Sequence, residues 1–245
     1  MILVDALRMA TGTLTALPVP PPRRIDRRVA RGAMLLAPVA AVPLAALAGL
    51  VMYGGETLGL PSLAVAAVAV GAVALGSRGL HLDGLADTAD GLGASYDRER
   101  ALEIMRRGDS GPTGVAALVL VLIVQCGALA AGGVTTAVVG VLAGRCVLSL
   151  CCVRGVPSAR PEGLGATVAG SVPVSLAALV FLLACAAAGF APGLPWWRGP
   201  AAVAAGYAVA GLLLWRCVRR LGGITGDVLG ACVEAATAAT LLALV

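Results

Sequence analysis

Residues 113–153 read TGVAALVLVLIVQCGALAAGGVTTAVVGVLAGRCVLSLCCV, and Arg145 is the only charge among them. A helix that crosses a bilayer needs about 17–25 predominantly apolar residues. This stretch holds two such lengths, with Gly132-Gly133 between them. The reading is two spans, about Thr113–Ala131 and Val134–Val153, closed into a tight hairpin at the glycines. The same test applied outward places further spans at about Ala33–Tyr53, Pro61–Ser77, Val172–Phe190, Ala201–Val218 and Asp227–Val245. The expected fold is all-α: a polytopic integral membrane helical bundle of about seven transmembrane helices, forming one domain over residues 1–245.

Composition points the same way. The chain of 245 residues is 59% hydrophobic and 13% charged, with a mean hydropathy of +0.95. Soluble domains carry about 25% charged residues, so a soluble class is excluded and the lipid bilayer is the expected surrounding. With 33 glycines and only 3% aromatic residues, the helices should pack closely through small side chains. Such faces also suit a homo-oligomer. Of the seven cysteines, none forms a Cys-x-x-Cys pair. They read as small buried residues, not as a disulfide framework or a zinc site. Residues 1–20 are too polar to span and read as an interfacial or packed helix, ended by Pro20-Pro21-Pro22. Trp196 and Trp197 read as an interfacial pair.

All 18 basic residues are arginine, and their placement sets an orientation. With the N-terminus in the cytoplasm and seven spans, those in 1–31, 78–107, 154–160 and 216–220 face the cytoplasm. Only Arg198 faces out, and Arg145 lies within a span. No nucleic-acid motif accompanies the net charge of +5. The consequence is that three polar segments, 78–111, 154–165 and 219–227, should meet on the cytoplasmic face of the cell membrane.

The first of these contains Gly79-Leu80-His81-Leu82-Asp83-Gly84-Leu85-Ala86-Asp87-Thr88-Ala89-Asp90-Gly91. Asp83, Asp87 and Asp90 stand at i, i+4 and i+7, which places them on one helical face. Three carboxylates on one stripe repel one another. A divalent cation and phosphate oxygens between them would make the stripe favourable. The plainer reading is a solvated acidic helix end. His81, the only histidine, falls on a different face from Asp83 and suits a base, a substrate contact or a supporting hydrogen bond. Gly84 and Gly91 would let a bulky ligand approach the backbone. After Gly93, a short polar helix is expected over about Asp97–Arg107, with Asp97 as N-cap.

The third segment reads Gly222-Gly223-Ile224-Thr225-Gly226-Asp227-Val228-Leu229-Gly230. Glycines ahead of a helix expose backbone N–H groups that favour phosphate, and the plainer reading is a loop ending in an Asp227 N-cap. Arg106, Arg107, Arg154 and Arg160 could neutralise a polyphosphate, or serve only topology. Arg145 and Glu234 are ionisable residues inside spans and could pair with each other.

The run from His81 to Gly91 resembles the cobalamin synthase family. So do Arg100–Met105, Gly111–Gly114, Ser158-Ala-Arg-Pro-Glu-Gly-Leu-Gly165 and Gly222–Gly230, in the family's order from about residue 78 onward. One departure is local: after Met105 the family has Lys-Asp-Ser, whereas this chain has Arg106-Arg107-Gly108-Asp109-Ser110.

The resemblance implies an adenosylcobinamide-GDP ribazoletransferase dependent on Mg²⁺. In that reaction α-ribazole, or its 5′-phosphate, attacks the cobinamide-side phosphorus and GMP leaves. On this reading Asp83, Asp87 and Asp90 would hold the metal, and Asp90 or Asp109 would take the hydroxyl proton, with His81 as a further catalytic candidate. Gly84, Gly91, Arg106, Arg107, Arg160, Thr225 and Asp227 would bind substrate. Two rivals are a CDP-alcohol phosphotransferase-like lipid enzyme and a cation-coupled transporter built on Arg145 and Glu234. Against the first, Asp87 follows Ala86 where that family has arginine. Against the second, the polar residues gather at one membrane face and not at the midplane.

Overall fold

The computed structural model describes residues 1–94 and 96–245. Among the described residues twelve helices follow in order: α1 (Ile2–Leu14), α2 (Arg27–Leu35), α3 (Ala37–Ala40), α4 (Val42–Thr57), α5 (Ser62–Gly76), α6 (Leu80–Ala94), α7 (Arg98–Ile104), α8 (Pro112–Cys151), α9 (Gly163–Val168), α10 (Val174–Gly189), α11 (Arg198–Leu221) and α12 (Gly226–Leu244). Among the described residues there is no strand; two isolated bridges, Val153 with Val172 and Ser158 with Ile224, tie loops together. The all-α expectation holds.

α8 is one helix in name and two in geometry. Gly133 sits at φ 70°, ψ −157° inside it. A straight helix rises about 1.5 Å per residue, which would hold Gln125 and Arg145 far apart. Instead Gln125, Leu129, Ala137, Val141 and Arg145 all line one small cavity. The chain therefore reverses at Gly133, as the paired glycines predict.

α12 is the axis of the bundle. Its inward side chains are small, so neighbouring backbones come close. A Cβ on Gly206 of α11 would overlap the Thr240 hydroxyl, and one on Gly144 of α8 would overlap that of Thr237. Large apolar side chains such as Leu120, Ile123, Leu182, Leu183 and Leu212 are exposed instead. A belt of that kind suits lipid and would be a liability in water. By length and hydropathy, α8, α11 and α12 can each cross a membrane unaided, while α10 is shorter.

Two of the expected elements begin or end elsewhere. The helical run of the first expected span starts at Arg27, not near Ala33, because Asp26 caps it by accepting the Arg28 and Val29 N–H groups (both 2.9 Å). It is broken at Leu36 and Ala41, since Pro38 and Pro43 have no N–H to continue the ladder. α1 ends at Leu14, before the prolines. Thr15 turns extended, and the Ala16 N–H donates to the Gly76 carbonyl at 2.6 Å.

The bundle has two distinct ends. At one, Thr135 Oγ1 donates to the Pro192 carbonyl (3.0 Å) and Arg198 donates to that of Leu244 (3.4 Å). At the other lie α6, α7, α9 and the loops flanking them. α6 leaves α5 at 91°, through two successive left-handed residues, Arg78 (φ 57°) and Gly79 (φ 69°). The Arg78 guanidinium fixes this turn by donating to the Gly12 carbonyl at 2.6 Å. Beyond this turn α6 packs against the first turns of α12, Gly84 beside Asp227 and His81 beside Gly230.

Candidate active site at one end of the bundle

The three polar segments do converge. The Ile224 N–H donates to the Pro157 carbonyl and the Ala159 N–H to that of Ile224, both at 2.9 Å. Arg98 of α7 then bolts the two loops to the aspartate segment: its Nε donates to the Leu221 carbonyl (2.7 Å) and its Nη2 to that of Ala159 (3.0 Å). Asp97 caps α7 as expected, accepting the Arg100 N–H at 2.8 Å. Arg98 was not among the candidates; an arginine in a charged run carries no sequence mark of a structural role.

α6 and the start of α12 are pressed together at two glycines. A Cβ on Gly84 would lie 2.6 Å from the Asp227 carbonyl oxygen, and one on Gly230 would lie 3.1 Å from the His81 backbone. This approach brings Asp227 into the field of Asp83 and Asp87. The space beside Gly84 is thus filled by protein backbone, and that beside Gly91 by Met105. These glycines shape the site by packing; they do not open the backbone to a ligand.

Asp87 is buried and Asp83 exposed, and neither makes a hydrogen bond or ion pair to another described residue. Burial, with the charges of Asp83, Asp227 and Asp90, pushes the Asp87 carboxyl up to about 6. Asp227 is partly neutralised: Arg160 Nη1 lies 3.4 Å from its Oδ2, and Thr225 Oγ1 donates to the same oxygen at 3.1 Å. The N-cap of α12 is Thr225, whose hydroxyl accepts the Val228 N–H at 3.2 Å. Asp227 therefore does not cap α12, and the plainer reading of it as the N-cap is set aside. Arg160 also reaches the Leu102 carbonyl (3.0 Å), and the positive charge of Arg106 falls on it.

Asp90 has a different job. Its Oδ2 accepts the Gly111 N–H (2.7 Å) and its Oδ1 the Gly114 N–H (2.8 Å). The carboxylate thereby closes the N-terminus of α8, where the helix dipole favours negative charge. A Cβ on Gly111 would come within 2.6 Å of Asp90 Oδ1, which explains the glycine at that position. Asp109 is exposed on the loop that Asp90 anchors. Arg107 is exposed and paired with Glu103 at 2.8 Å, with the charge of Asp109 also bearing on it.

Glycines 222–230 serve packing more than anion binding. Gly222 (φ 78°) is the left-handed cap of α11, and a Cβ on Gly223 would strike Ser158 and Ala159. Deeper in, His81 Nδ1 faces Arg145 Nη2 at 3.3 Å, and Gln125 Nε2 donates to Glu234 Oε2 at 2.7 Å. Arg145 and Glu234 are neighbours across a small cavity but form no direct ion pair.

Hard carboxylate oxygens are the donors that Mg²⁺ takes. Among the described residues no three His, Cys, Asp or Glu side chains are gathered closely enough to hold a metal alone. The fit is to an ion shared between protein carboxylates and ligand phosphates, the usual Mg²⁺ arrangement. Asp83, Asp87 and Asp227 are the acids that bear on one another here.

Residues 6–245 match the family described as cobalamin-5-phosphate synthase. The chain is 51% identical over 241 residues to the adenosylcobinamide-GDP ribazoletransferase of a Nocardioides species, covering 98% of this chain and 97% of the relative. It is 42% identical to the protein of that name from Frankia casuarinae, over 96% of this chain and 92% of the other. To that from Pseudomonas paraeruginosa it is 36% identical, over 98% of each. No solved structure matches the chain.

Proposed function

The chain belongs to the cobalamin-5-phosphate synthase family, and we propose that it acts as an adenosylcobinamide-GDP ribazoletransferase on the membrane. The observation that carries this is full-length similarity to relatives of that name. The convergence of Asp83, Asp87, Asp227, Arg106 and Arg160 at one end of the bundle supports it chemically. Phosphoryl transfer asks for in-line positioning and neutralised oxygens more than for covalent help.

In this reaction the 3′-hydroxyl of α-ribazole, or of its 5′-phosphate, attacks the cobinamide-side phosphorus of adenosylcobinamide-GDP. The new P–O bond forms as the bond to the GMP oxygen breaks, and GMP leaves with the electron pair. Asp83, Asp87 and Asp227 would hold Mg²⁺, which when bound neutralises pyrophosphate oxygens. Arg160, half-buried and already oriented by Asp227 and Leu102, is placed to take a phosphate oxygen, with Arg106 beside it. Asp109 is our choice for the hydroxyl proton, because both oxygens of Asp90 are occupied by the Gly111 and Gly114 amides. Asp90 positions α8 instead.

The distribution of arginine, sixteen of 18 at the end that carries the site or within the flanking loops, supports a cytoplasmic site in a seven-span plasma-membrane protein. The test is turnover by purified protein in proteoliposomes with adenosylcobinamide-GDP, α-ribazole and Mg²⁺, beside a matched sample in EDTA. The expected result is corrinoid product and GMP, both lost with EDTA. Product that survives metal removal would overturn the Mg²⁺ assignment. No product, with CMP released from a CDP-alcohol mixture, would replace the reaction with head-group transfer to lipid.

A further inference from the structure

Beside the carboxylate cluster, across the 154–170 loop, lies a second charged hollow. α2 carries Arg27, Arg28 and Arg31, and Arg27 and Arg31 share a face at i, i+4 spacing. These three, with Arg154, Ile2 and Ser171, line a cavity of about 550 Å³. A smaller hollow of about 330 Å³ shares Arg27 and Arg154 and continues to Ser158. The size matches a ligand pocket, not a lone inorganic ion.

The charge in it is unbalanced. Among the described residues no carboxylate lies within ion-pair distance of Arg28, Arg31 or Arg154. Asp26 is committed to the first amides of α2 and to Arg24 at 3.4 Å, and its charge also falls on Arg28 without an ion pair to it. Arg27 is spent as a brace, donating to the Gly170 carbonyl at 2.8 Å. Ser171 supplies an independent sign of a ligand. It is only 4% exposed and lines the hollow, yet its hydroxyl has no hydrogen-bond partner. A buried hydroxyl without a partner is costly. Membrane topology explains arginines at this end, but neither the hollow nor the waiting hydroxyl.

We propose that Arg28, Arg31 and Arg154, with Ser171 Oγ, bind the phosphate group of an organic phosphate. Guanidinium forks match phosphate oxygens, and the hydroxyl completes the donor set. The phosphate belongs to an anionic phospholipid head group or to a phosphate ester from solution, and the chemistry of recognition is the same for both.

The test is thermal unfolding of the full-length protein in a neutral detergent at constant ionic strength. Two probes are compared with matched sodium chloride: inorganic phosphate, and dihexanoyl phosphatidylglycerol set against dihexanoyl phosphatidylcholine. A saturating ligand should raise the midpoint by about 5 °C. That rise should vanish in the Arg31→Gln/Arg154→Gln double variant and shrink in Ser171→Ala. Arg198→Gln, at the opposite end of the bundle, should keep it. A response to inorganic phosphate that depends on these residues assigns a phosphate from solution. A dependent response to phosphatidylglycerol alone assigns a lipid head group. No rise above chloride with either probe, or a rise that the double variant keeps in full, overturns the site. Arg27 is left intact because it holds the loop, and the substituted arginines are solvent-accessible enough for the variants to fold.

Discussion

Two clusters of ionisable side chains lie close together along α6, and they are built on opposite rules. At the end of the bundle, Asp83 and Asp87 have no hydrogen-bond or ion-pair partner among the described residues, and Asp227 shares Arg160 and Thr225. One to two turns deeper, His81 is set against Arg145, and Gln125 against Glu234. The inner cluster surrounds a cavity of about 30 Å³, room for about one water molecule and far too small for a transported solute. The outer cluster keeps like charges together at the end of the bundle, with Asp83 exposed and Asp87 buried among the others. The inner one sets polar groups against one another inside an apolar bundle, with His81 Nε2 and Arg145 Nε left without a hydrogen-bond partner among the described residues. Like charges gathered at the end of the bundle point to chemistry; polar groups set against one another in a closed place point to architecture. By that rule His81 supports the fold around Arg145.

Substitution can break this contrast. The largest effect is expected at Asp87 and Asp83. Asp87→Asn should lower turnover by about 10³-fold or more, as loss of an electrostatic group in phosphoryl transfer does, with the thermal midpoint no lower than in the unaltered protein. Near-normal turnover would remove Asp87 from the site. Next comes Arg145→Ala, which leaves Glu234 with Gln125 alone in a buried setting. Breaking one side of a buried charge arrangement costs about 3 kcal/mol or more, so denaturation should move strongly while the folded fraction still turns over substrate. If instead turnover collapses with the midpoint unchanged, the inner cluster is part of the chemistry and the contrast fails.

Asp90 tests the boundary between the two. It sits on the same stripe as Asp83 and Asp87 yet caps α8. Asp90→Ala should cost about 1–2 kcal/mol, the usual range for a helix cap with a dipole contribution. Its loss of activity should follow its loss of folded protein. A variant that is stable but inactive would return Asp90 to the metal-binding set.

What was legible in the sequence divides along the same line. The hairpin at Gly132-Gly133, the positions of the apolar helices and the meeting of three polar segments follow from local composition and from alternation of the chain across the bundle. The stripe of aspartates was legible as a stripe. Its division of labour was not, because Asp90 finds its partners 21 and 24 residues away. Neither that contact nor the 91° turn between α5 and α6 is marked in the local sequence beyond Gly79. The glycines of 222–230 misled for a related reason. Glycine is needed equally for an exposed phosphate loop and for backbones in contact, and only the fold shows that Ser158, Ala159 and His81 occupy the space. Of the arginines before the first span, Arg27, Arg28 and Arg31 lie on α2 itself, since Asp26 starts the helix early.

The smallest expected effect is on pH dependence, and it bears on why Asp83, Asp87 and Asp227 are kept together. The Asp87 carboxyl ionises near 6 in the folded protein, above its ordinary value of 3.8, through burial first and then the neighbouring carboxylates. Below about pH 4 the group is protonated in both folded and unfolded chains, and its contribution to stability is fully present. As pH rises through about 6 the folded chain must take on a charge that its surroundings disfavour, and that contribution is lost. Metal-free protein should therefore unfold at a slightly lower temperature at pH 7.5 than at pH 5, and Asp87→Asn should flatten this part of the profile. Added Mg²⁺ should restore the midpoint at pH 7.5 and do little at pH 5, where protons hold the carboxylate. Activity should show the opposite trend and fall as pH drops through 6. A pH profile that Asp87→Asn and Mg²⁺ both leave unchanged would mean that the strained carboxylates at this end of the bundle are not waiting for a cation.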